Sequence, residues 1–214
     1  MGRAEPPTRQ PAPRPVAAIV LAAGSSRRMG TGNKLLEPVD SSGTPMCRLV
    51  VDRLAQAGLS PIIVVTGHQP AAVRAALAGA PVRFVHNPDH ASGMGGSLAT
   101  GARALSATAV LVALADMPDV SLADLHTLLA VSHDDGAAIV APIVDGRRGH
   151  PVIFPPHLLP PLQQCSGDEG ARRLLRARTA EVALVPMSSP GVVQDIDTPA
   201  QLTARRARGG EHAG

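Results

Sequence analysis

With 214 residues and 44% hydrophobic composition, the chain is long enough for one domain with a full α/β core. Its formal charge of +3 sits in the two ends (Arg3, Arg9, Arg14, Arg205, Arg206 and Arg208), which leaves fourteen basic against fifteen acidic residues elsewhere. With no Trp or Tyr and only Phe84 and Phe154, it offers neither the basic face nor the stacking platform of a nucleic-acid binder.

Residues 1–15 hold five prolines and three arginines without an apolar run, so they read as a disordered leader and not a signal peptide. The expected domain spans residues 16–208, with a disordered tail at 209–214. Val16–Leu21 is a short continuous apolar run, the mark of a strand buried on both faces. Helix is expected over Pro45–Ala57, with Pro45 in its first turn and Gly58 as its stop. Strands follow at Pro61–Val65 and Val82–Val85, with a helix over Pro70–Leu77 between them. Gly95–Leu105 reads as helix and Ala109–Leu114 as strand. A helix from about Leu122 to Val131 has Ser121 as N-cap and Asp124 three residues later. Strands at Ala137–Ala141 and Pro151–Phe154, a helix over Asp168–Arg178, a strand at Glu181–Pro186 and a helix over Pro199–Arg208 complete the series. This alternation predicts an α/β fold: a Rossmann-like, mostly parallel twisted sheet with helices on both faces, and ligands beyond the carboxyl ends of its strands. Cys47 and Cys165 stand far apart and form no Cys-x-x-Cys unit, so no disulfide framework or zinc ribbon is indicated. No run approaches the ~18–20 apolar residues of a membrane span, and a soluble, cytoplasmic protein is expected.

Of the twenty basic residues only Lys34 is a lysine. An ammonium is a compact point charge suited to single phosphate oxygens, whereas Arg presents a planar fork. Lys34 closes the Gly-rich segment that begins at Leu21-Ala22-Ala23-Gly24, where backbone N–H groups and basic side chains hold phosphates. The alternative is a plain surface lysine. The segment matches neither a P-loop, since Leu35 follows Lys34, nor the dinucleotide fingerprint. Small residues at Ala22, Ala23 and Gly24 would let a nucleotide approach the backbone, with Arg28 and Lys34 bracketing a triphosphate.

Four further segments carry candidate chemistry. Asp116 stands directly after the strand Ala109–Leu114 and before Met117-Pro118, well placed to ligate Mg²⁺ on a nucleotide. One carboxylate of Asp195-Ile196-Asp197-Thr198-Pro199 could be a second ligand, although this pattern equally makes a helix start. Asn87 to Leu98 leads into a helix whose unpaired N–H groups suit ribose or a base edge. Gly146-Arg147-Arg148-Gly149-His150-Pro151 is either a solvated turn or a forked-Arg site for a second anionic substrate. His86 and His90 lie in a loop, where a spacing of four has no metal meaning; His126 and His133 read as helix surface.

Taken in order, the segments at 21–34, 87–98, 116–118, 149–152, 167–172 and 195–199 resemble the nucleotidyltransferases of molybdenum cofactor maturation, in particular the molybdenum cofactor cytidylyltransferases. The resemblance covers Val16 to about Leu202. It implies transfer of CMP from CTP to the terminal phosphate of molybdopterin, with release of pyrophosphate and Mg²⁺ as cofactor. Leu-Ala-Ala-Gly at 21–24, where the guanylyltransferase relatives usually have Leu-Ala-Gly-Gly, favours CTP over GTP. By this resemblance Asp116 and Asp197 hold the metal, and Arg28 and Lys34 neutralise the leaving phosphates. Leu21, Ala22, Ala23, Gly24, Asn87, Gly93, Met94 and Ser97 line the nucleotide side. Arg147, Arg148 and His150 face the pterin. The implied partners are CTP, the molybdenum cofactor, and a molybdoenzyme or its maturation chaperone. Four alternatives stay open: guanylyl transfer to the same cofactor, another phosphorylated small-molecule acceptor, a non-catalytic delivery protein, and, weakest, a dehydrogenase.

Overall fold

The structure is a computed structural model that describes residues 15–24, 32–134, 136 and 138–210. The chain begins with strand β1 (Ala17–Ala22), helix α1 (Met46–Gln56), strand β2 (Ile62–Thr66), helix α2 (Pro70–Ala76), strand β3 (Val82–His86), helix α3 (Met94–Arg103) and strand β4 (Val110–Leu114). Helix α4 (Leu122–Asp134), strands β5 (Ile139–Val144), β6 (Arg147–Arg148) and β7 (Val152–Phe154), helices α5 (Leu159–Leu162) and α6 (Arg172–Ala177), strand β8 (Val182–Pro186) and helix α7 (Pro199–Gly210) follow.

One sheet runs in the order β3-β2-β1-β4-β7-β5-β6, with β8 also paired to β5. β3, β2, β1 and β4 are mutually parallel, and β8 is parallel to β5. β7 is antiparallel to both β4 and β5, so the expected mostly parallel sheet has an antiparallel seam. Strand order reverses between β1 and β4, which opens a crevice at their carboxyl ends.

Alternation along the strands explains why both faces are filled. Ala18, Val20, Ile62, Val64, Leu111 and Ala113 face one core with Val50, Val51 and Leu54 of α1 and Leu125 and Leu128 of α4. Ala17, Ile19, Ile63, Val65, Val110 and Val112 face the other with Leu98 and Ala102 of α3. On α1 the buried Met46, Cys47, Val50, Val51 and Leu54 recur at helical spacing. A fully buried leucine such as Leu54 contributes about 1.5–3 kcal/mol.

The capping pattern read at Ser121 is formed: the Asp124 amide donates to Ser121 Oγ at 3.1 Å, and Asp124 Oδ2 accepts from the Ser121 amide at 2.9 Å. α6 is shorter than the helix expected over Asp168–Arg178. Gly167 (φ 65°) and Gly170 (φ 52°) adopt left-handed backbone, so the chain turns there instead of winding. Arg205 and Arg206, grouped above with the ends, are tied to the body by hydrogen bonds. Arg205 Nε donates to Asp119 at 2.9 Å and its guanidinium also reaches the Val39 carbonyl, while Arg206 Nε donates to the Pro38 carbonyl. α7 is thereby tied to the loop after β4.

Candidate functional site

Three segments meet at the carboxyl ends of β1 and β4. The Ala115 amide donates to Leu21 O at 3.2 Å, so the loop after β4 continues alongside β1. The Ile196 amide then donates to Asp116 O at 2.9 Å, docking the segment 195–197 beside Asp116. Ile196 is buried in the core, and in an extended stretch its neighbours point the opposite way, so Asp195 and Asp197 both turn toward Asp116. Ligand atoms of these three aspartates lie within 4.8 Å of one another.

Lys34 projects into this group. Its Nζ donates to Asp116 Oδ2 at 2.7 Å and to Asp197 Oδ1 at 2.5 Å, with the lysine side chain 11% exposed. A short 3-10 turn at Lys34–Leu36 fixes its root, capped by Asn33 Oδ1, which accepts from the Leu35 amide. Burial works to lower the ammonium's pKa. The charges and hydrogen bonds of Asp116 and Asp197 outweigh this and hold it above the ordinary lysine range. Lys34 is thus a cation firmly charged at neutral pH.

Asp195 is held above the usual carboxylate range, first by desolvation and then by the negative charge of Asp197 and, less, Asp116. Among the described residues Lys34 pairs with Asp116 and Asp197 while Asp195 stands beside them, a group of carboxylate oxygens of the kind a hard divalent cation takes as ligands. The donor set fits such an ion.

Asp197 was the site where ligand and helix start competed. The helix start belongs to its neighbour: Thr198 Oγ1 accepts from the Gln201 amide, and Gln201 Oε1 accepts from the Asp197 and Thr198 amides. The Asp197 carboxylate is left for Lys34.

A cleft of about 510 Å³ opens from this point. Of the nucleotide-side candidates, Leu21, Ala23, Gly24, Gly93, Met94 and Ser97 line it together with Lys34 and Asp116. Ala22 turns into the core beneath, 1% exposed. Asn87 is buried and donates from Nδ2 to Ser97 Oγ at 3.0 Å, while its Oδ1 accepts from the Asp89 amide. It braces the loop that forms the cleft wall. Arg28 lies outside the described residues. His90, Ala91 and Asp168 also line the cleft, and the sequence reading did not select them.

A second cleft of about 270 Å³ adjoins the first, sharing Met94 and Leu114 with it and bordered by Asp195. Arg147, Arg148 and His150 line it, and so does Arg172 at the start of α6. The basic turn is therefore a hairpin whose side chains line a cleft. β6 pairs antiparallel with β5, and the strand then bends away at Gly149-His150 before resuming as β7. Gly149 is required there, because a Cβ would lie 2.0 Å from the Val192 carbonyl oxygen. The His150 amide donates to that same oxygen at 2.8 Å. Burial, with help from Arg172 and Arg148, lowers the His150 pKa and keeps the ring neutral at pH 7, although the Val112 backbone and Asp116 pull the other way.

The segment 166–168 closes the wall between the clefts. The Gly95 amide donates to Gly167 O at 2.7 Å, and a Cβ on Gly93 would meet the Gly167 carbonyl at 2.4–2.5 Å. Among the described residues no helix is long and apolar enough to cross a membrane.

The chain is similar in sequence and fold to known proteins. A solved nucleotidyl transferase from Methanothermobacter thermautotrophicus (Mth528) is 25% identical, with a TM-score of 0.78 covering 92% of this chain and 98% of its own. Rv0371C from Mycobacterium tuberculosis, solved in complex with manganese, is 25% identical with a TM-score of 0.67, over 88% of this chain and 97% of its own. Among curated proteins, nicotine blue oxidoreductase of Paenarthrobacter nicotinovorans is 35% identical over 87% of this chain and 94% of its own length. Purine catabolism protein PucB of Bacillus subtilis is 31% identical over 88% and 95%. The model of the MobA-like NTP transferase domain matches residues 18–182, and the chain belongs to that family.

Proposed function

We propose that the protein transfers CMP from CTP to the terminal phosphate of the molybdenum cofactor, releasing pyrophosphate, with Mg²⁺ as the metal. The observation that carries this reading is the convergence of Lys34, Asp116 and Asp197 at the junction of two clefts, one lined by the small residues of the β1 loop and the other by three arginines.

In this reading Asp116 and Asp197, with Asp195 beside them, would hold the metal, and Lys34 would turn from the carboxylates to the triphosphate as the nucleotide enters. Mg²⁺ bound there would draw negative charge from the phosphate oxygens around the reacting phosphorus. Arg28 and Lys34 hold the β- and γ-phosphates. Arg147, Arg148 and Arg172 hold the anionic acceptor through forked contacts, with the neutral His150 beside them. An acceptor phosphate oxygen attacks the α-phosphorus; the bond from that phosphorus to the bridging oxygen breaks, and pyrophosphate leaves with the electron pair. Positioning and charge neutralisation provide the catalysis, with no covalent protein intermediate.

The similarity to nicotine blue oxidoreductase favours a second reading in which the same scaffold serves redox chemistry. Hydride transfer would give the Asp116–Asp195–Asp197 group and Lys34 no task, so it ranks below transfer. The deciding experiment incubates the protein with Mg²⁺, the molybdenum cofactor and each of CTP, GTP, UTP and ATP, and measures pyrophosphate. CTP-dependent release is expected. Release with GTP alone moves the assignment to guanylyl transfer, and release only with a different phosphorylated acceptor moves it to that acceptor. No release with any nucleotide, together with oxidation of a reduced nicotinamide, would establish the redox reading.

A further inference from the structure

The wall of the larger cleft contains an imidazole that the proposed chemistry does not use. His90 stands in the 3-10 turn His90–Ser92 and packs against two elements of the nucleotide side at once. A Cβ on Gly67 would lie 2.5 Å from His90 Cβ and Cγ and 2.9 Å from the Ala23 Cβ. The ring is therefore seated on the bare backbone of Gly67, immediately beside Ala23 of the β1 loop. The His68 amide donates to Ala23 O at 3.3 Å, and the His68 and His90 ring centroids are 6.4 Å apart, so the loop and both rings form one wall.

Other aromatic groups are committed elsewhere. Phe154 is in the core, and Phe84 lies under the Arg74 guanidinium at 4.8 Å. The imidazole is thus the ring that lines this cleft, beside Ala23.

Its two nitrogens differ. Nδ1 is buried and has no hydrogen-bond partner among the described residues. A buried N–H without an acceptor is a rarer and costlier state than a buried lone pair. The proton is accordingly carried by Nε2, which makes no hydrogen bond to the protein among the described residues.

We infer that His90 is the base-reading side chain of the nucleotide cleft, donating from Nε2–H to N3 of cytosine. This rests on the nucleotidyl-transfer reading and deepens it, since it assigns base choice to a residue. Uracil carries N–H at N3, and guanine carries N–H at N1 with an amino group beside it, so a fixed donor meets a donor in both. A site built to hydrogen-bond one edge rejects the analogue that lacks it more strongly than a merely apolar pocket could.

The test is calorimetric binding of Mg²⁺-CTP, Mg²⁺-UTP and Mg²⁺-GTP to the full chain and to three variants. His90→Ala removes ring and donor. His90→Phe keeps the packing on Gly67 without the donor, and His90→Gln keeps an N–H donor. CTP affinity is expected to fall about tenfold in His90→Ala and His90→Phe, the scale of one hydrogen bond. His90→Gln should recover most of that loss, and UTP and GTP affinities should stay within about twofold, less than half a hydrogen bond. Unchanged CTP affinity in His90→Phe overturns the inference. An equal loss for all three nucleotides overturns it too, by reducing the ring to a packing element. Tightest binding of UTP or GTP by the unmodified chain overturns the cytosine assignment. Failure of the unmodified chain to bind any nucleotide overturns the nucleotidyl-transfer reading itself, a result recognisable before any variant is made.

Discussion

The two clefts are built in contrasting ways. The larger one lies at the ends of parallel strands β1 and β4, and its key groups come from loops that follow directly on those strands: Ala23, Gly24 and Lys34 after β1, Asp116 after β4. The smaller one lies on the antiparallel side, where one bent strand supplies Arg147, Arg148 and His150 and a distant helix supplies Arg172. Parallel architecture concentrates loops at one sheet edge, so a position relative to a strand end predicts a position in the site. On the antiparallel side it does not, because placement depends on a bend fixed by contact with Val192.

Variants should separate the two halves, and the largest effect belongs to their junction. Asp116→Ala removes the carboxylate proposed to hold the metal and an ion-pair partner of Lys34; turnover should fall on the order of 10³-fold, read as pyrophosphate release at saturating substrates. Lys34→Ala should cost roughly 10²-fold in turnover. It also removes the ammonium that pairs with Asp116 and Asp197, and losing one partner of a partly buried ion pair costs about 1–3 kcal/mol. The variant should melt earlier than the unmodified chain without metal, and added Mg²⁺ should raise its melting temperature by more than it raises that of the unmodified chain. An equal Mg²⁺ increment would mean that ammonium and metal do not compete for one position.

Next in size is the arginine cleft. Arg172→Ala should raise the acceptor KM about tenfold, the scale of one charge-assisted contact, and leave the CTP KM unchanged in initial-rate kinetics. A CTP effect of the same size would merge the two clefts into one. The smallest expected effect is on Cys47, which lies in neither cleft. Burial pushes its thiol up to about 11, so the reactive thiolate is scarce at pH 8. A thiol reagent at that pH should label Cys47 only after denaturation, with activity unchanged before it.

The same contrast explains what the sequence made legible. The Val16–Leu21 run, the apolar stretch before Asp116 and the capping pattern at Ser121 are local signals, and each appears where it was read, within one or two residues. The antiparallel β7 was not legible, because three residues carry no sign of direction. The sequence reading took one carboxylate of Asp195-Ile196-Asp197 and chose Asp197, although the alternation around a buried apolar residue could have shown that both carboxylates face Asp116. His90 left no periodic trace at all, since its place in the cleft depends on the absence of a side chain at Gly67, twenty-three residues away. Gly167 and Gly170 did carry a local warning that the helix over 168–178 would start late.

A structure of the chain with CTP and Mg²⁺ would test most directly the idea that an ammonium and an acidic trio serve one metal-bound triphosphate. The account predicts the metal between Asp116 and Asp197, with Lys34 Nζ moved onto a phosphate oxygen. Nucleotide bound away from the β1 loop, or Lys34 still bridging the two carboxylates beneath a bound triphosphate, would contradict it.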